Sequence, residues 1–228
     1  RPVPESAARG QRMRIALIDY GAGNLHSCSK ALERALAAEN RAGEVIIGAD
    51  PDVIASADRI VLPGDGAFKD CRDELGAVDG LEAALHEAVR VKARPFLGIC
   101  VGMQLLADIG EERGETKGLG WIPGRVVALD PAERHLKVPH MGWNTLEARG
   151  SHPILDGIPF GEQALHAYFL HSYHLIPEHA GDLLAVAEYG GPVSAIIGRE
   201  NIVGTQFHPE KSQLLGLKLL RNFLSWTP

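Results

Sequence analysis

The sequence has few cysteines, no block of basic residues and no long apolar run, and each absence excludes a class of protein. Three cysteines, Cys28, Cys71 and Cys100, form neither a disulfide framework nor a paired C-x-x-C metal motif, which favours a reducing compartment. A net charge of −6 without a basic cluster argues against nucleic acid as a partner. No apolar run approaches the roughly 20 residues that span a membrane. We therefore expect a cytoplasmic globular protein that binds neither nucleic acid nor membrane.

The bulk composition predicts a single folded unit. The chain has 228 residues, of which 45% are apolar and 23% charged, so a core can form without disulfides. The first dozen residues, RPVPESAARGQR, lack apolar periodicity and precede Met13. We expect residues 1–12 to be a tag or a disordered extension and residues 13–228 to form one domain.

Short apolar runs alternate with amphipathic segments, which predicts an α/β fold. In the first half, strands are predicted at residues 14–19, 45–48, 59–64 and 95–99, and helices at 25–40, 79–92 and 101–109. The second half has more strands, predicted at 125–129, 167–173, 183–189, 193–198 and 202–207, before a last helix at 212–226. This order indicates a mostly parallel central sheet flanked by helices, with added antiparallel strands.

Cys100 lies between two glycines in the segment GICVG, where a predicted strand meets a predicted helix. Gly98 and Gly102 leave room for a tight corner, the arrangement in which hydrolases present a nucleophile at the edge of a sheet. A helix beginning there favours a thiolate and offers free amides to an oxyanion. The alternative is an inert core cysteine beside two packing glycines.

His208 and Glu210 provide a base and an acid for such a thiol. In the segment QFHPE a predicted strand ends at Pro209, and in an extended chain side chains two residues apart point to the same side. A carboxylate on one imidazole nitrogen leaves the other free to take a thiol proton. A solvated glutamate near an unremarkable histidine is the alternative.

A metal site is disfavoured by the spacing of the other histidines. The cluster in the second half matches no structural zinc pattern and includes no cysteine; it consists of His166, His171, His174 and His179. The segment YGAGN also lacks the G-x-G-x-x-G spacing of a dinucleotide fingerprint.

Taken together, GICVGMQLL and QFHPEKS resemble the class I (triad) glutamine amidotransferases. Four further blocks are similar to the amidotransferase subunits of imidazole glycerol phosphate synthase, an enzyme of histidine biosynthesis; they are IDYGAGNLHS, LPGDGAF, PHMGWN and YFLHSYH. All six occur in the family's order from about Met13 to the end of the chain. The resemblance implies a flavodoxin-like fold with its site at the carboxyl ends of the strands.

The resemblance also implies roles for individual residues. Cys100 would attack the carboxamide of L-glutamine, His208 would act as base and then acid, and Glu210 would orient His208. The remaining substrate-binding residues would be Gly64 and Asp65 with the amide of Val101 at the oxyanion, and Gln104, Ser172 and Tyr173 on the glutamine backbone. No cofactor or metal is implied.

The partner implied is a (β/α)8-barrel cyclase subunit, which would form a heterodimer with this chain and receive its ammonia. The docking face would include Asn24 and the loop Met141–Asn144, with Trp143 as an interface aromatic; the alternative is a core tryptophan. Two residues depart from the family pattern. Asp65 replaces a small apolar residue in LPGDG, and His174 follows HSY.

Two other functions are compatible with parts of the sequence. One is an amidotransferase serving pyridoxal phosphate, purine or anthranilate synthesis, against which the PHMGWN and DYGAGNLHS blocks weigh. The other is a flavodoxin-like binding or redox module in which Cys100 acts as a sensor.

Overall fold

The computed structural model describes residues 12–131 and 136–228. Apart from Arg12, the N-terminal segment for which a tag or extension is expected lies outside these residues. Within the described ranges, no helix combines the length and the apolar character that crossing a membrane requires.

Fourteen strands form three sheets over the described residues. In chain order they are β1 Met13–Ile18, β2 Gly43–Gly48, β3 Arg59–Gly64, β4 Phe96–Cys100, β5 Ile109–Gly110, β6 Thr116–Lys117, β7 Gly124–Ala128, β8 His140–Thr145, β9 Glu147–Ala148, β10 His166–His171, β11 Tyr173–Pro177, β12 Leu183–Glu188, β13 Pro192–Arg199 and β14 Ile202–Thr205.

The main sheet has the order β2-β1-β3-β4-β14-β13-β12-β9. Its first five strands are parallel, and β13, β12 and β9 extend it antiparallel. All residues of β3 and β4 are buried, as expected for central parallel strands covered on both faces. The predicted mostly parallel sheet with antiparallel additions is confirmed.

Six α-helices accompany the sheets in the described part of the chain. They are α1 Leu25–Ala38, α2 Pro51–Ala55, α3 Phe68–Ala77, α4 Leu81–His86, α5 Val101–Gln104 and α6 Gln213–Ser225; α4 continues as a π-helical turn, Glu87–Val91. Asn24 caps α1 by accepting a hydrogen bond from the amide of Ser27. Helices α1 and α6 pack against each other.

Three predicted elements differ from the structure. The helix expected over residues 101–109 ends at Gln104, because the carbonyls of Leu105 and Leu106 accept hydrogen bonds from Leu119 and Trp121 instead of continuing the helix. The segment 167–173 is divided between β10 and β11.

The third difference concerns Met141–Asn144, which belongs to strand β8 and not to a loop. Strands β8 and β10 form an antiparallel two-stranded ribbon in which Trp143 pairs with Tyr168 and His140 pairs with His171. Gly142 and the polar residues interrupt the apolar pattern, so the strand has no clear signal in the sequence. Pairing with β10 provides its structure.

Candidate active site

Cys100 ends β4, and α5 begins at the next residue, so the predicted strand-to-helix corner is confirmed. Its φ of 55° and ψ of −113° lie in a region that non-glycine residues rarely occupy. The residue is buried, with 4% of its surface exposed. Strained backbone of this kind persists where the surrounding structure holds it in place, and it is concentrated at functional sites.

The two flanking glycines allow β3, β4 and α5 to meet without intervening side chains. A β-carbon on Gly98 would lie 2.6 Å from the carbonyl oxygen of Gly102, and one on Gly102 would overlap the carbonyl oxygen of Leu62 in β3. Neither obstacle is a flexible side chain. The corner at Cys100 therefore depends on close backbone packing on both sides.

Replacing Gly102 by alanine is expected to destabilise this corner. The new methyl group meets backbone atoms of Leu62, so α5 has to move away from β3. We expect the free energy of unfolding to fall by about 3 kcal/mol, the upper part of the range for overpacking. Urea denaturation measures the change.

Gly150→Ala is the matched control for Gly102→Ala, because Gly150 is exposed and a β-carbon there meets no atom within 4 Å. Its free energy of unfolding should stay within about 0.5 kcal/mol of the wild type. Equal stability of both variants would mean that α5 shifts freely and that the close approach is not needed.

His208 follows β14 closely, and its Nδ1 lies 2.9 Å from Oε1 of Glu210. Both side chains are buried, with 9% and 3% exposed. The sequence predicts this pair for the wrong reason, since Pro209–Lys211 is a 3-10 turn and not an extended segment. The turn brings the carboxylate back to the ring.

The surroundings of His208 favour its charged form. Burial lowers the pKa of His208, but hydrogen bonds with Cys100 and Glu210 and the negative charges of both raise it to about 10. The predicted Cys100, His208 and Glu210 are thus brought together. Since α5 has only four residues, a charged imidazole contributes more than a helix dipole to stabilising an anionic sulfur.

The backbone of β10 supports both reactive side chains. The thiol of Cys100 lies 3.9 Å from the carbonyl oxygen of Leu170. The amide of His208 donates to the carbonyl of Tyr168 at 3.0 Å. These contacts are not predictable from the sequence, because they depend on how the ribbon packs against the main sheet.

A cavity of about 230 Å³ opens beside Cys100. Five of the predicted substrate-binding residues line it, and they are Asp65, Val101, Gln104, Ser172 and Tyr173. Gly64 lies behind this lining, where a β-carbon would be 2.5 Å from the amide nitrogen of Gly102. His171 also lines the cavity and was not predicted as a site residue.

Gln104 is buried and anchored by two hydrogen bonds. Its Nε2 donates to the carbonyl oxygen of Tyr173 and to Oε1 of Gln206, both at 3.0 Å. Nε2 of Gln206 in turn lies 3.7 Å from the sulfur of Cys100. Gln206 was missed, although it lies in the same QFHPE segment as His208.

Two buried side chains form hydrogen bonds with the backbone at the carboxyl end of β3. The hydroxyl of Tyr20 donates to the carbonyl of Pro63 at 2.8 Å, and the thiol of Cys71 donates to the carbonyl of Asp65 at 3.2 Å. Burial raises the pKa of Cys71 to about 11, so this thiol keeps its proton at neutral pH. The peptide between Gly64 and Asp65 therefore lies between two fixed carbonyls.

The predicted docking residues fall at two places. Met141 and Trp143 are exposed on the outer face of the ribbon, 66% and 49% respectively, so Trp143 is not a core residue. Asn144 lies on the inner side and donates to the carbonyl of Glu188 at 2.8 Å. Asn24 is exposed at the start of α1, next to Gly23, which packs against Pro63.

The histidines considered for a metal site do not converge. Within residues 12–131 and 136–228, no group of three or more histidine, cysteine or acidic residues is placed to hold an ion. His166 and His179 are exposed, whereas His171 and His174 are buried. Burial lowers the pKa of His174 to about 4, so this unusual residue is uncharged at neutral pH.

The sequence and the fold are similar to those of known glutamine amidotransferases. The model of the class I glutamine amidotransferase family matches residues 16–226. A solved glutamine amidotransferase structure has a TM-score of 0.67 at 17% identity, covering 92% of this chain and 97% of the other. A glutamine amidotransferase from Thermotoga maritima has a TM-score of 0.64 at 18% identity, covering 94% and 97%. These two structures support the fold. The chain belongs to the class I glutamine amidotransferase family.

Closer relatives define its place within that family. The imidazole glycerol phosphate synthase subunit HisH of Rhodopseudomonas palustris is 56% identical over 216 residues, which are 95% of this chain and all of the relative. The HisH subunit of Brucella suis is 57% identical with the same coverage. Within the family, the chain thus groups with the HisH subunits of imidazole glycerol phosphate synthase, an enzyme with a partner subunit.

Proposed function

We propose that this chain is the glutaminase subunit of an imidazole glycerol phosphate synthase, and that residues 13–228 form its amidotransferase domain. It hydrolyses L-glutamine to glutamate and ammonia with the triad Cys100, His208 and Glu210. The observation that carries the proposal is the strained Cys100 at the edge of a cavity, with the His208–Glu210 pair beside it.

The reaction begins with attack of the Cys100 sulfur on the carboxamide carbon of glutamine. His208 takes the thiol proton and passes it to the departing nitrogen, so ammonia leaves and a glutamyl thioester remains. A water molecule then gives a proton to His208 and adds to the thioester. The carbon–sulfur bond breaks, the sulfur regains its proton and glutamate is released.

Backbone amides stabilise the negative charge on the oxygen of both tetrahedral intermediates. The amide of Val101 starts α5 beside the sulfur, and the peptide between Gly64 and Asp65 supplies the second donor. Because Tyr20 and Cys71 fix the carbonyls on either side, this peptide can rotate without moving its neighbours. The exposed carboxylate of Asp65 places a negative charge near the developing oxyanion, and this charge changes the rate of glutamine hydrolysis.

Glutamine is held by its amino-acid end. Gln104, Ser172 and Tyr173 line the cavity, and the Gln104 side chain with the backbone of Ser172 and Tyr173 binds the α-amino and α-carboxylate groups. The buried anchoring of Gln104 keeps its side chain in place before the substrate arrives.

The partner is a (β/α)8-barrel cyclase that converts the ammonia and a phosphoribulosyl ribonucleotide to imidazole glycerol phosphate and an aminoimidazole carboxamide ribotide. It docks on the outer face of the ribbon β8–β10, around Met141, Trp143 and Leu170, whose apolar side chains are exposed. Asn24 and Asn144 border this interface. Trp143 packs edge-on against Tyr168 at 5.5 Å, which prepares a rigid aromatic anchor.

Ammonia release from glutamine tests this function in three states: the chain alone, the chain with the cyclase, and the complex with the ribonucleotide. We expect a stepwise rise, because docking on β8–β10 acts on the backbone that supports Cys100 and His208. Equal rates in all three states would support the glutaminase activity but contradict its activation by the cyclase and the ribonucleotide. No ammonia in any state would overturn the proposal.

The same assay includes a docking variant. Trp143→Ala is expected to weaken binding of the cyclase about 30-fold, the effect of losing an interface hot spot. Ile176→Ala is the matched control, because Ile176 is also 49% exposed but lies on β11 of a different sheet. Similar loss of binding in both variants would place the interface elsewhere.

A further inference from the structure

Two buried histidines face each other on the inner side of the ribbon β8–β10. Nδ1 of His140 lies 3.1 Å from Nε2 of His171, and the side chains are cross-strand neighbours. The ring of His140 is stacked between Phe169 and Tyr189, with centroid distances of 4.6 and 4.0 Å. The triad and the docking face described above leave both histidines without a role.

Both rings are uncharged at neutral pH. Burial lowers the pKa of His140 to about 4. Burial lowers that of His171 to about 3, although a hydrogen bond to the backbone of Tyr173 opposes the change. A neutral imidazole has one N–H donor and one acceptor nitrogen, so the direction of each hydrogen bond can be assigned from its partners.

The contact of His171 at the cavity determines the direction of these hydrogen bonds. Nδ1 of His171 lies 2.8 Å from the carbonyl oxygen of Tyr173, which can only accept, so this nitrogen carries the proton. Nε2 of His171 is then an acceptor, and Nδ1 of His140 must donate to it. Nε2 of His140 is left to accept from the side-chain amide of Asn144, which lies 3.4 Å away.

The chain of donors ends at the substrate side of the cavity. The carbonyl oxygen of Tyr173 accepts both from His171 and from Gln104. Gln104 is the residue assigned to hold glutamine, and it also contacts Gln206 next to the sulfur of Cys100. This series of hydrogen bonds starts at Asn144, beside the docking residue Trp143. It therefore joins strand β8, which carries the docking residues, to the substrate site.

We propose that His140 and His171 are positioning residues for glutamine binding, which hold the Tyr173 carbonyl, and through it Gln104, by a directed chain of hydrogen bonds from Asn144. The proposal rests on the proposed function, because it concerns the same substrate site. Neither histidine touches the reacting atoms.

Substitutions at His140 separate hydrogen bonding from packing. His140→Leu keeps an apolar group between the aromatic rings but removes the donor, and we expect KM for glutamine in the cyclase complex to rise about tenfold with kcat within about threefold. His140→Asn carries an N–H at the position of Nδ1 and should restore KM to within about threefold of the wild type. Tyr189→Leu removes the stacking and the hydrogen bond from the Tyr189 hydroxyl to the carbonyl of Lys137 but leaves the hydrogen bonds of His140 in place, and it should leave KM within about twofold.

Two results of the KM measurements would contradict the proposal. A wild-type KM in His140→Leu would overturn the positioning role. An asparagine variant as impaired as the leucine variant, with Tyr189→Leu impaired too, would assign His140 to packing alone.

The wild-type protein offers a second test that does not depend on variant folding. Nitrogen-15 NMR of the histidine rings reports which nitrogen carries the proton, and we expect the Nδ1–H form for both His140 and His171. An Nε2–H form at either residue would break the chain and overturn the proposal. This test also separates the two proposals, since absent glutaminase activity would remove the proposed function without changing the ring protonation.

Discussion

Replacing Cys100 by alanine is expected to lower ammonia release from glutamine by about 10⁴-fold or more, because the methyl group cannot form the thioester. The strain at Cys100 belongs to the backbone, so the corner and the cavity remain in this variant. The rate is measured in the complete complex with saturating glutamine. A residual rate above one hundredth of the wild type would exclude Cys100 as the nucleophile.

Two controls accompany the rate measurement on Cys100→Ala. When ammonium salt replaces glutamine, the complex containing Cys100→Ala should form its products at the wild-type rate, because the cyclase then receives ammonia from solution. Cys28→Ala tests a buried thiol outside the cavity, whose pKa is raised by burial and by the charge of Glu210. Its glutaminase rate should stay within about threefold. Loss of ammonia-dependent synthesis in Cys100→Ala would indicate a damaged complex.

The parts of the fold that the sequence predicts well are those in which one local pattern decides the structure. Strand β3 occupies the predicted residues 59–64, and β4 begins one residue after the predicted 95, because central parallel strands are continuous apolar runs. The corner at Cys100 was recognisable because two glycines mark a close backbone approach. Helix α1 was recognisable from its apolar spacing, whereas its cap by Asn24 is a finding of the structure.

Other parts were missed because distant segments decide them. Helix α5 stops at Gln104 since residues 118–122 take the next carbonyls as acceptors, which no pattern within 101–109 reveals. Strand β8 exists through its pairing with β10. The site follows the same division. The predicted Cys100, His208 and Glu210 lie together, since their reactive side chains can be recognised one at a time. His171 reaches the cavity and Gln206 reaches the sulfur of Cys100 only through the packing of distant segments, so neither was predicted.

Replacing His208 by alanine is expected to lower glutaminase activity about 10³–10⁴-fold, since the thiol then lacks both its base and the acid that protonates ammonia. Glu210→Gln should lower it about 10²-fold, because the amide oxygen can still accept from Nδ1 but its charge is gone. His179→Ala, an exposed histidine away from the cavity, is the matched control and should keep the wild-type rate.

The Glu210→Gln variant also tests the electrostatics of the pair, with a sign that can be worked out in advance. In the wild type, burial lowers the pKa of His208, while its hydrogen bonds and the charges of Cys100 and Glu210 raise it to about 10. Removing the carboxylate charge destabilises the imidazolium and leaves burial unchanged, so the pKa of His208 must fall. Histidine ring NMR across a pH titration measures this. An unchanged or higher pKa would mean that Cys100 alone holds the proton on His208, and Glu210 would then only orient the ring.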